Sequence, residues 1–381
     1  MTAEAVSSLP LEGVRVADFT QTLAGPHCTW LLSCLGADVV KVEPPGGEYS
    51  RGIQDGHLFA NTNRNKRSIT ADLRTEDGVR LARRLAESSQ VLVESFKPGT
   101  MERFGLSYDT ISATNSGIVY ASVSGYGQDG PYADRPGYDA LAQAMSGMMA
   151  ATGEETGPPV RVGTAPIDYG TGAYTALAIT AALYRRNITG LGAYIDASLL
   201  ETAMAWMSMT YTRFSLTGQV PERRGSANES FVPYQVFRAR DGDVFIGVGT
   251  DTMFAKFCES FGLEALGGDP RFRTIGGRCD HRAEVVATVA NKMAEFTVAE
   301  ILERALNAHI PATEVYAVDR ILVDPQVIAR EAAVVLEDPT LGAMTVTPFP
   351  VRMTGVPSTA GTPAPRAGQH NDELLAELGL D

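Results

Sequence analysis

The order of residues between positions 14 and 43 constrains the fold more than any other feature of this sequence. Residues 14–19 are mostly apolar, Pro26 stands where a helix would begin, and residues 37–43 form a second, valine-rich run. A strand, a helix and a second strand within about 30 residues make a βαβ unit, whose two strands are parallel. The segment therefore predicts an α/β fold built on a parallel sheet.

The pattern recurs along the chain and then changes. A polar, glycine-containing stretch at residues 218–230 interrupts it and predicts a domain boundary. Before that boundary we predict helices at 78–86, 138–149, 173–184 and up to Phe214, and strands at 91–94, 118–123 and 193–198. After it we predict a hairpin at 234–248 around Asp241-Gly242, helices between 253 and 306, an extended tail from Leu341 and a last helix at 371–378.

The sequence is acidic overall but carries local groups of basic residues. Its net charge of −13 is opposite to that of a protein that binds a nucleic-acid backbone, so we expect no nucleic-acid partner. Residues 64–67 lie near Arg74, and Lys97 and Arg103 flank a Pro-Gly pair. Several of these groups follow predicted strands, at the edge of an α/β sheet where ligands bind. We therefore expect a basic patch there that meets the phosphates of an anionic ligand.

The cysteines, the histidines and the apolar runs exclude several other classes of protein. The four cysteines form no CxxC pair and the five histidines lack metal-ligand spacing, so we expect reduced thiols and no bound metal. The longest apolar run, residues 173–184, is about a dozen residues, shorter than the roughly 20 of a membrane span. The first 13 residues lack the features of a secretory signal. We expect a cytoplasmic protein without a membrane partner.

Two common enzyme classes fit the sequence poorly. The turn after the first strand, residues 20–26, has a single glycine and lacks the GxGxxG pattern that lets a dinucleotide pyrophosphate approach the backbone. The sequence also lacks the GxSxG motif of a Ser-His-Asp hydrolase. A nicotinamide or flavin oxidoreductase is therefore disfavoured, and we expect the sheet to bind another kind of ligand.

Asp168 differs from the other carboxylates in the residues that surround it. It lies among small residues and glycines, directly before the apolar run at 173–184. One interpretation is an N-cap, whose side chain accepts free backbone N–H groups at the start of a helix. The other is a partly buried nucleophile, flanked by glycines that let a ligand approach, because carboxylates can form covalent acyl intermediates. The local sequence leaves both interpretations open.

A series of short motifs runs through nearly the whole chain. They are DFT with AGP (18–20, 24–26), LGADVVKVE (35–43), NKRS (65–68), VESFKPG (93–99), SGYG with GPY (124–127, 130–132), RPGYD (135–139) and GQHNDE (368–373). In this order they closely resemble the motifs of the class III CoA-transferases, the family of formyl-CoA transferase. The resemblance favours the catalytic interpretation of Asp168, because that residue matches the family's nucleophilic aspartate.

The resemblance also implies a fold and a quaternary arrangement. The family has a large Rossmann-like domain that contains both chain ends and a smaller α+β domain, and two subunits interlock like rings in a homodimer. On this sequence we place the large domain at residues 1–217 and 321–381 and the small domain at residues 218–320.

The reaction that the resemblance implies moves CoA from an acyl-CoA donor to a carboxylic acid acceptor. CoA is then a substrate, and no cofactor is permanently bound. We expect an aspartyl-acyl anhydride and an aspartyl-CoA thioester on Asp168 as intermediates. The positions that match the family's CoA contacts are Leu23, Ala24, Ala71, Asp72, Leu73, Arg74, Ser95, Phe96, Lys97, Arg103, Tyr138 and Asp139. Among them, Lys97 and Arg103 are expected to meet the phosphate-bearing adenosine end.

Two positions depart from known members of the family. Leu23 replaces a glutamine that lies beside the active site of formyl-CoA transferase, which argues against oxalate and formate as substrates. Tyr138 stands where the related α-methylacyl-CoA racemases have a histidine, and a phenol is too weak an acid to shuttle protons near neutral pH. This favours transfer over racemisation. An isomerase on the same scaffold and a non-catalytic CoA-binding protein are the alternatives.

Overall fold

A computed structural model describes residues 9–380 of the chain. Residues 1–8, which form most of the segment considered for a secretory signal, and Asp381 lie outside the described residues. The chain divides into two compact units. The first comprises the chain up to Met148, Arg161–Gly218 and the segment from Pro325 onward, and the second comprises Met149–Val160 and Gln219–Asp324.

The first unit contains a six-stranded parallel sheet, which confirms the α/β prediction. Its strand order is 3-2-1-4-5-6, the order of doubly wound nucleotide-binding sheets, so that the winding reverses between the first and fourth strands. The strands are β1 Arg15–Phe19, β2 Asp38–Glu43, β3 Arg67–Thr70, β4 Val91–Glu94, β5 Val119–Ser124 and β6 Ala193–Ser198. Five of them match predicted strands, and the four-residue β3 was missed.

Helices cover both faces of this sheet. Up to residue 217 the helices of the first unit are α1 Ala24–Cys34, a 3-10 helix at Tyr49–Gly56, α2 His57–Thr62, α3 Glu76–Glu87, α4 Thr100–Arg103, α5 Tyr108–Ser112, α6 Asp139–Met145, α8 Pro166–Thr189, α9 Leu199–Trp206 and α10 Ser208–Thr217. Helix α7, Met148–Ala151, has three of its four residues in the second unit. Val16 belongs to the core beside α1 and α8, and the next residue, Ala17, belongs to the core beside α3. This alternation buries the sheet on both sides, as is usual for parallel sheets. No helix among residues 9–380 is long and apolar enough to cross a membrane.

The second unit has a small antiparallel sheet and a cluster of helices. Its strands are β7 Tyr234–Arg238, β8 Asp243–Gly247 and β9 Ala312–Glu314. The hairpin predicted around Asp241-Gly242 is confirmed, since β7 and β8 pair from Arg238 with Asp243. The helices are α11 Asp251–Phe261, α12 Glu264–Gly268, a 3-10 helix at Pro270–Phe272, α13 Ile275–Asp280, α14 Arg282–Met293, α15 Val298–Asn307 and α16 Val318–Ile321. All of them except α16 contribute side chains to a core rich in phenylalanine and valine.

The C-terminal segment differs in part from its prediction. After α17 (Pro325–Ala329), strands β10 (Val334–Asp338) and β11 (Gly342–Val346) form an antiparallel hairpin. Strand β11 lies at the start of the tail that was predicted to be extended from Leu341, and β10 precedes that tail. The Asp338 carboxylate closes the turn by accepting the N–H groups of Thr340 and Leu341, at 2.8 Å and 2.9 Å. The last helix, α18 (Asn371–Leu378), has its predicted bounds and buries Leu374 and Leu378 in the core beside α3.

Candidate active site

A cleft opens in the first unit where the winding of the sheet reverses. The turn after β1 and the turn after β4 form its walls, at the carboxyl ends of the two strands where ligands bind in open α/β sheets. The Gln21 N–H donates to the Ser95 hydroxyl at 2.8 Å and so links the two turns. The cavity has a volume of about 390 Å³ and is lined by Gln21 to Gly25, Tyr49, Ser95 to Pro98, Val123 to Gly125, Ala133, Arg135 to Tyr138, Asp168 and Leu199.

Among residues 9–380, Asp168 is the only aspartate or glutamate that lines this cavity, and it lies inside a helix. Helix α8 begins at Pro166, so Asp168 occupies the third position of its first turn. The N-cap is Ala165, whose side chain makes no capping hydrogen bond. The N-cap interpretation of Asp168 is therefore wrong, because the helix starts before the apolar run from which its start was predicted. The carboxylate is left to face the cleft near the positive end of the helix dipole.

Asp139 supplies the acceptor that Ala165 lacks. Its Oδ2 accepts the N–H groups of Ile167 and Asp168 at 2.7 Å and 3.2 Å, and its Oδ1 accepts from the Gln143 side chain. Asp139 is only 7% exposed and is not among the residues that line the cleft. The structure thus places this predicted CoA contact against the backbone of α8, directly behind the predicted nucleophile.

Burial and a neighbouring charge change the acidity of Asp168. Burial raises the pKa of its carboxyl group to about 7, and the negative charge of Asp139 acts in the same direction. At neutral pH a large fraction of Asp168 is ionised, and this anion is more basic than an ordinary carboxylate. A group of this kind can attack an electrophilic carbonyl or accept a proton.

The glycines beside Asp168 have a different role from the one that the sequence suggested. A Cβ on Gly172 would lie 2.6 Å from the carbonyl oxygen of Ala24, and one on Gly170 would lie 2.3 Å from the ring of Trp206. These glycines therefore allow α8 to pack closely against α1 and α9 instead of leaving room for a ligand.

Glu94 stabilises the turn after β4, which is the second wall of the cleft. Its carboxylate, at the end of β4, accepts the Phe96 N–H at 2.7 Å and so fixes the turn that carries Ser95 and Lys97. The residue is only 4% exposed. Burial raises the pKa of Glu94 to about 7, with a further contribution from the charge of Asp196.

The structure brings only some of the predicted site residues together. Leu23, Ala24, Ser95, Phe96, Lys97 and Tyr138 line the cleft with Asp168. Leu73, Arg74 and Arg103 line a separate depression of about 490 Å³, and Ala71 and Asp72 line another of about 330 Å³. Two further arginines, Arg80 and Arg83, also line the larger depression. Their spacing of three on a predicted helix was a usable signal, because such residues share a helix face.

The basic group at residues 64–67 does not form the expected phosphate-binding patch. Arg64 and Lys66 are 1% and 3% exposed, and both donate to backbone carbonyls inside the first unit. Arg67 forms ion pairs with Asp38, Glu373 and Glu377. The prediction was wrong because a sequence of basic residues does not show which of them are turned inward. No group of three or more histidine, cysteine or acidic side chains in residues 9–380 is arranged to hold a metal ion.

Known proteins resemble this chain in both sequence and structure. A family model described as CoA-transferase family III matches residues 11–371. A succinate–glutarate CoA-transferase from Agrobacterium fabrum is 35% identical over 382 residues, covering 97% of this chain and 96% of that protein. A succinyl-CoA:glutarate CoA-transferase from Mus musculus is 37% identical over 379 residues, covering 98% and 87%. The crystal structure of a CAIB/BAIF family protein from Brucella suis has a TM-score of 0.87 and 33% identity, covering 97% of this chain and 100% of that one.

Proposed function

Because this chain belongs to the class III CoA-transferase family and is an enzyme of that class, we propose that it transfers CoA between carboxylic acids through covalent intermediates on Asp168. The observation that carries the proposal is the position of Asp168. It is the carboxylate that faces the cleft, it lies in the first turn of α8, and its pKa is raised to about 7 by burial and by Asp139.

The proposed reaction uses the Asp168 carboxylate first as a nucleophile and then as a carrier. An Asp168 oxygen attacks the thioester carbonyl, the C–S bond breaks, and CoA thiolate leaves an aspartyl-acyl anhydride. The thiolate attacks the aspartyl carbonyl, which releases the donor acid as a carboxylate and forms an aspartyl-CoA thioester. The acceptor carboxylate then reverses both steps, so that CoA ends on the acceptor and Asp168 is free. The energy of the thioester is kept in each intermediate.

CoA is proposed to bind through the two groups of residues that the structure separates. The apolar and small side chains of Leu23, Ala24 and Phe96 in the cleft suit the pantetheine arm and the thioester. The depression that contains Arg74, Arg80, Arg83 and Arg103 suits the phosphates, since guanidinium groups form bidentate hydrogen bonds with phosphate. It gives an acidic protein a local positive surface for an anionic substrate.

The relatives indicate a substrate class. The proteins from Agrobacterium fabrum and Mus musculus are named for succinate or succinyl-CoA and for glutarate, which are dicarboxylic acids. We therefore propose that the acids handled by this chain are short dicarboxylic acids, with a succinyl-type CoA thioester as donor.

We also propose that the enzyme is an interlocked homodimer, with the first unit as its large domain and the second as its small domain. The support is an apolar surface on the first unit that a single chain leaves open. Leu177 and Tyr184 on α8 are 67% and 72% exposed, and Met209 and Leu216 on α10 are 86% and 80% exposed. Large exposed apolar patches are typical of subunit interfaces. A cytoplasmic location is proposed because the four cysteines are free thiols.

The proposal is tested by exchange between acids. We would incubate the enzyme with succinyl-CoA and glutarate and measure glutaryl-CoA by chromatography. Asp168→Asn should still bind CoA and should lose turnover by about 10³-fold or more, as expected when a nucleophile is removed. Turnover near that of the unchanged enzyme, in a sample checked for deamidation, contradicts the proposal. Exchange of an α-proton with deuterated water, in the absence of an acceptor acid, would favour the isomerase.

A further inference from the structure

Buried charged side chains form hydrogen bonds with the first residue of the turn after β1, which is one wall of the cleft. Thr20 is the first residue after that strand, and all three of its polar groups are held. Its N–H and its hydroxyl donate to Asp18 Oδ1 at 2.9 Å and 2.5 Å, and its carbonyl accepts from Lys41 Nζ at 2.8 Å. Asp18 and Lys41 are both 0% exposed.

Lys66 holds the first turn of helix α1, which follows the same turn directly. Its Nζ donates to the Pro26 carbonyl at 3.1 Å, to Asp18 Oδ2 at 3.0 Å and to Asn63 Oδ1 at 2.8 Å. The two lysines face two acids, because Lys66 pairs with Asp18 and Lys41 lies 3.5 Å from Glu48. The network is therefore balanced in charge, and its members are inaccessible to a ligand.

The middle of the turn needs such support. Thr22 has a φ of 69°, which is a strained conformation for a residue with a β-branched side chain. Leu23 and Ala24, which follow it, line the cleft. Taking charges out of water is costly, and a buried ion pair is a weak source of stability compared with apolar packing. These pairs lie at the start of a strained turn that forms a binding wall and in the first turn of the helix that follows it. This position indicates another use.

We infer that Lys41 and Lys66 are positioning residues for CoA binding. Their ammonium groups hold the carbonyls of Thr20 and Pro26, and this keeps Leu23 and Ala24 in the conformation that receives the pantetheine arm. Neither lysine touches the substrate. The inference rests on the proposed function insofar as the ligand of the cleft is CoA, and it gives Lys66 a role other than phosphate binding.

The test compares two buried cations that donate hydrogen bonds to different backbone carbonyls. Lys66→Met removes an anchor of the turn, whereas Arg64→Met removes a cation that donates to the carbonyls of Asn61, Thr347 and Ala360, none of which lines the cleft. Isothermal titration gives the Kd for CoA, and amide hydrogen exchange gives the protection of residues 21–25 without any ligand. Both are measured well below the melting temperature of each variant.

We expect Lys66→Met to weaken CoA binding by about tenfold or more, since small misplacements in a site have large effects, and to speed exchange at Leu23 and Ala24. Arg64→Met should change neither quantity. Equal effects of the two substitutions, or no effect of Lys66→Met, would overturn the inference. If Lys66→Met does not fold, the charge-balanced double substitution Asp18→Asn with Lys66→Met takes its place. Unchanged hydrogen exchange at residues 21–25 in that protein would likewise overturn the inference. Absence of CoA binding by the unchanged enzyme contradicts the proposed function, while the exchange comparison still tests the positioning role.

Discussion

The carboxylate of the buried Asp139 accepts the backbone N–H groups of Ile167 and Asp168, so one acid caps the helix that carries another, half-buried acid. The pair has two consequences. The hydrogen bonds fix the first turn of α8, and the negative charge of Asp139 raises the pKa of Asp168 in addition to the larger effect of burial. Asp139 is thus expected to set both the position and the acidity of the proposed nucleophile.

Substitution of Asp139 by asparagine should shift the pH dependence of the reaction. The amide keeps a hydrogen-bond acceptor but removes the like charge, so the pKa of Asp168 falls. Since Asp168 must be ionised to attack, the acid limb of the kcat/KM profile should move to lower pH. The control is Asp319→Asn, at an exposed position on α16 of the second unit, which should leave the acid limb unchanged. An unchanged acid limb in Asp139→Asn would contradict the coupling of the two carboxylates.

Substitution of Asp168 itself should stabilise the protein at high pH. Its pKa is about 7 in the folded protein and 3.8 ordinarily, so the folded state holds more protons than the unfolded state between these values and wild-type stability falls as pH rises through them. Asp168→Asn lacks this loss and should be about 2 to 4 kcal/mol more stable than wild type at pH 8, but not near pH 4. Urea unfolding at both pH values measures the difference. If the two proteins differ in free energy of unfolding by the same amount at pH 4 and pH 8, the raised pKa of Asp168 is contradicted.

Close packing of α8 against α1 is tested by adding a methyl group. A Cβ on Gly172 meets the Ala24 carbonyl at 2.6 Å, whereas a Cβ on Gly276, in helix α13, has nothing within 4 Å. Gly172→Ala should lower the free energy of unfolding by about 1 to 3 kcal/mol through overpacking. Gly276→Ala should raise it by up to ~1 kcal/mol, because alanine favours a helix. Equal changes in chemical denaturation would contradict the packing described.

Substitutions in the arginine-rich depression should weaken the binding of donors that carry phosphates and of no others. Arg83→Ala or Arg103→Ala is expected to raise KM for an acyl-CoA donor by about tenfold, the effect of a lost charge-assisted hydrogen bond. The same substitutions should leave KM for the matching acyl-pantetheine unchanged, because it lacks the nucleotide phosphates. Arg238→Ala, which removes an exposed arginine of the second unit, is the control. Equal losses with both donors would place the CoA phosphates elsewhere.

Periodicity predicted the sheet well because it depends on local patterns of burial. The runs at 14–19 and 37–43 became β1 and β2 with only their first residues changed, and the run at 193–198 became β6. The start of α8 was missed although Pro166, a residue type favoured at the first helical position, was present as a signal. The hairpin of β10 and β11 was missed although Val334 and Val335 favour a strand.

Contacts between distant residues could not be predicted in this way. The hydrogen bonds from Asp168 to Asp139, and from Lys66 to the Pro26 carbonyl, join residues that local sequence places in separate elements. Lys66 was assigned to a phosphate patch because charge is visible in a sequence and burial of a charge is not. The family resemblance predicted Asp168 as the nucleophile but gave no reason for its raised pKa, which follows from burial and from Asp139.

The most direct test of the account is to trap the covalent intermediate. Hydroxylamine converts an activated aspartyl group into a hydroxamate and leaves the polypeptide intact. Intact-mass and peptide-mass spectrometry after incubation with succinyl-CoA and hydroxylamine should show one modified residue, Asp168, and Asp168→Asn should remain unmodified. Transfer of CoA to glutarate without any modification at Asp168 under the same conditions would contradict the central claim.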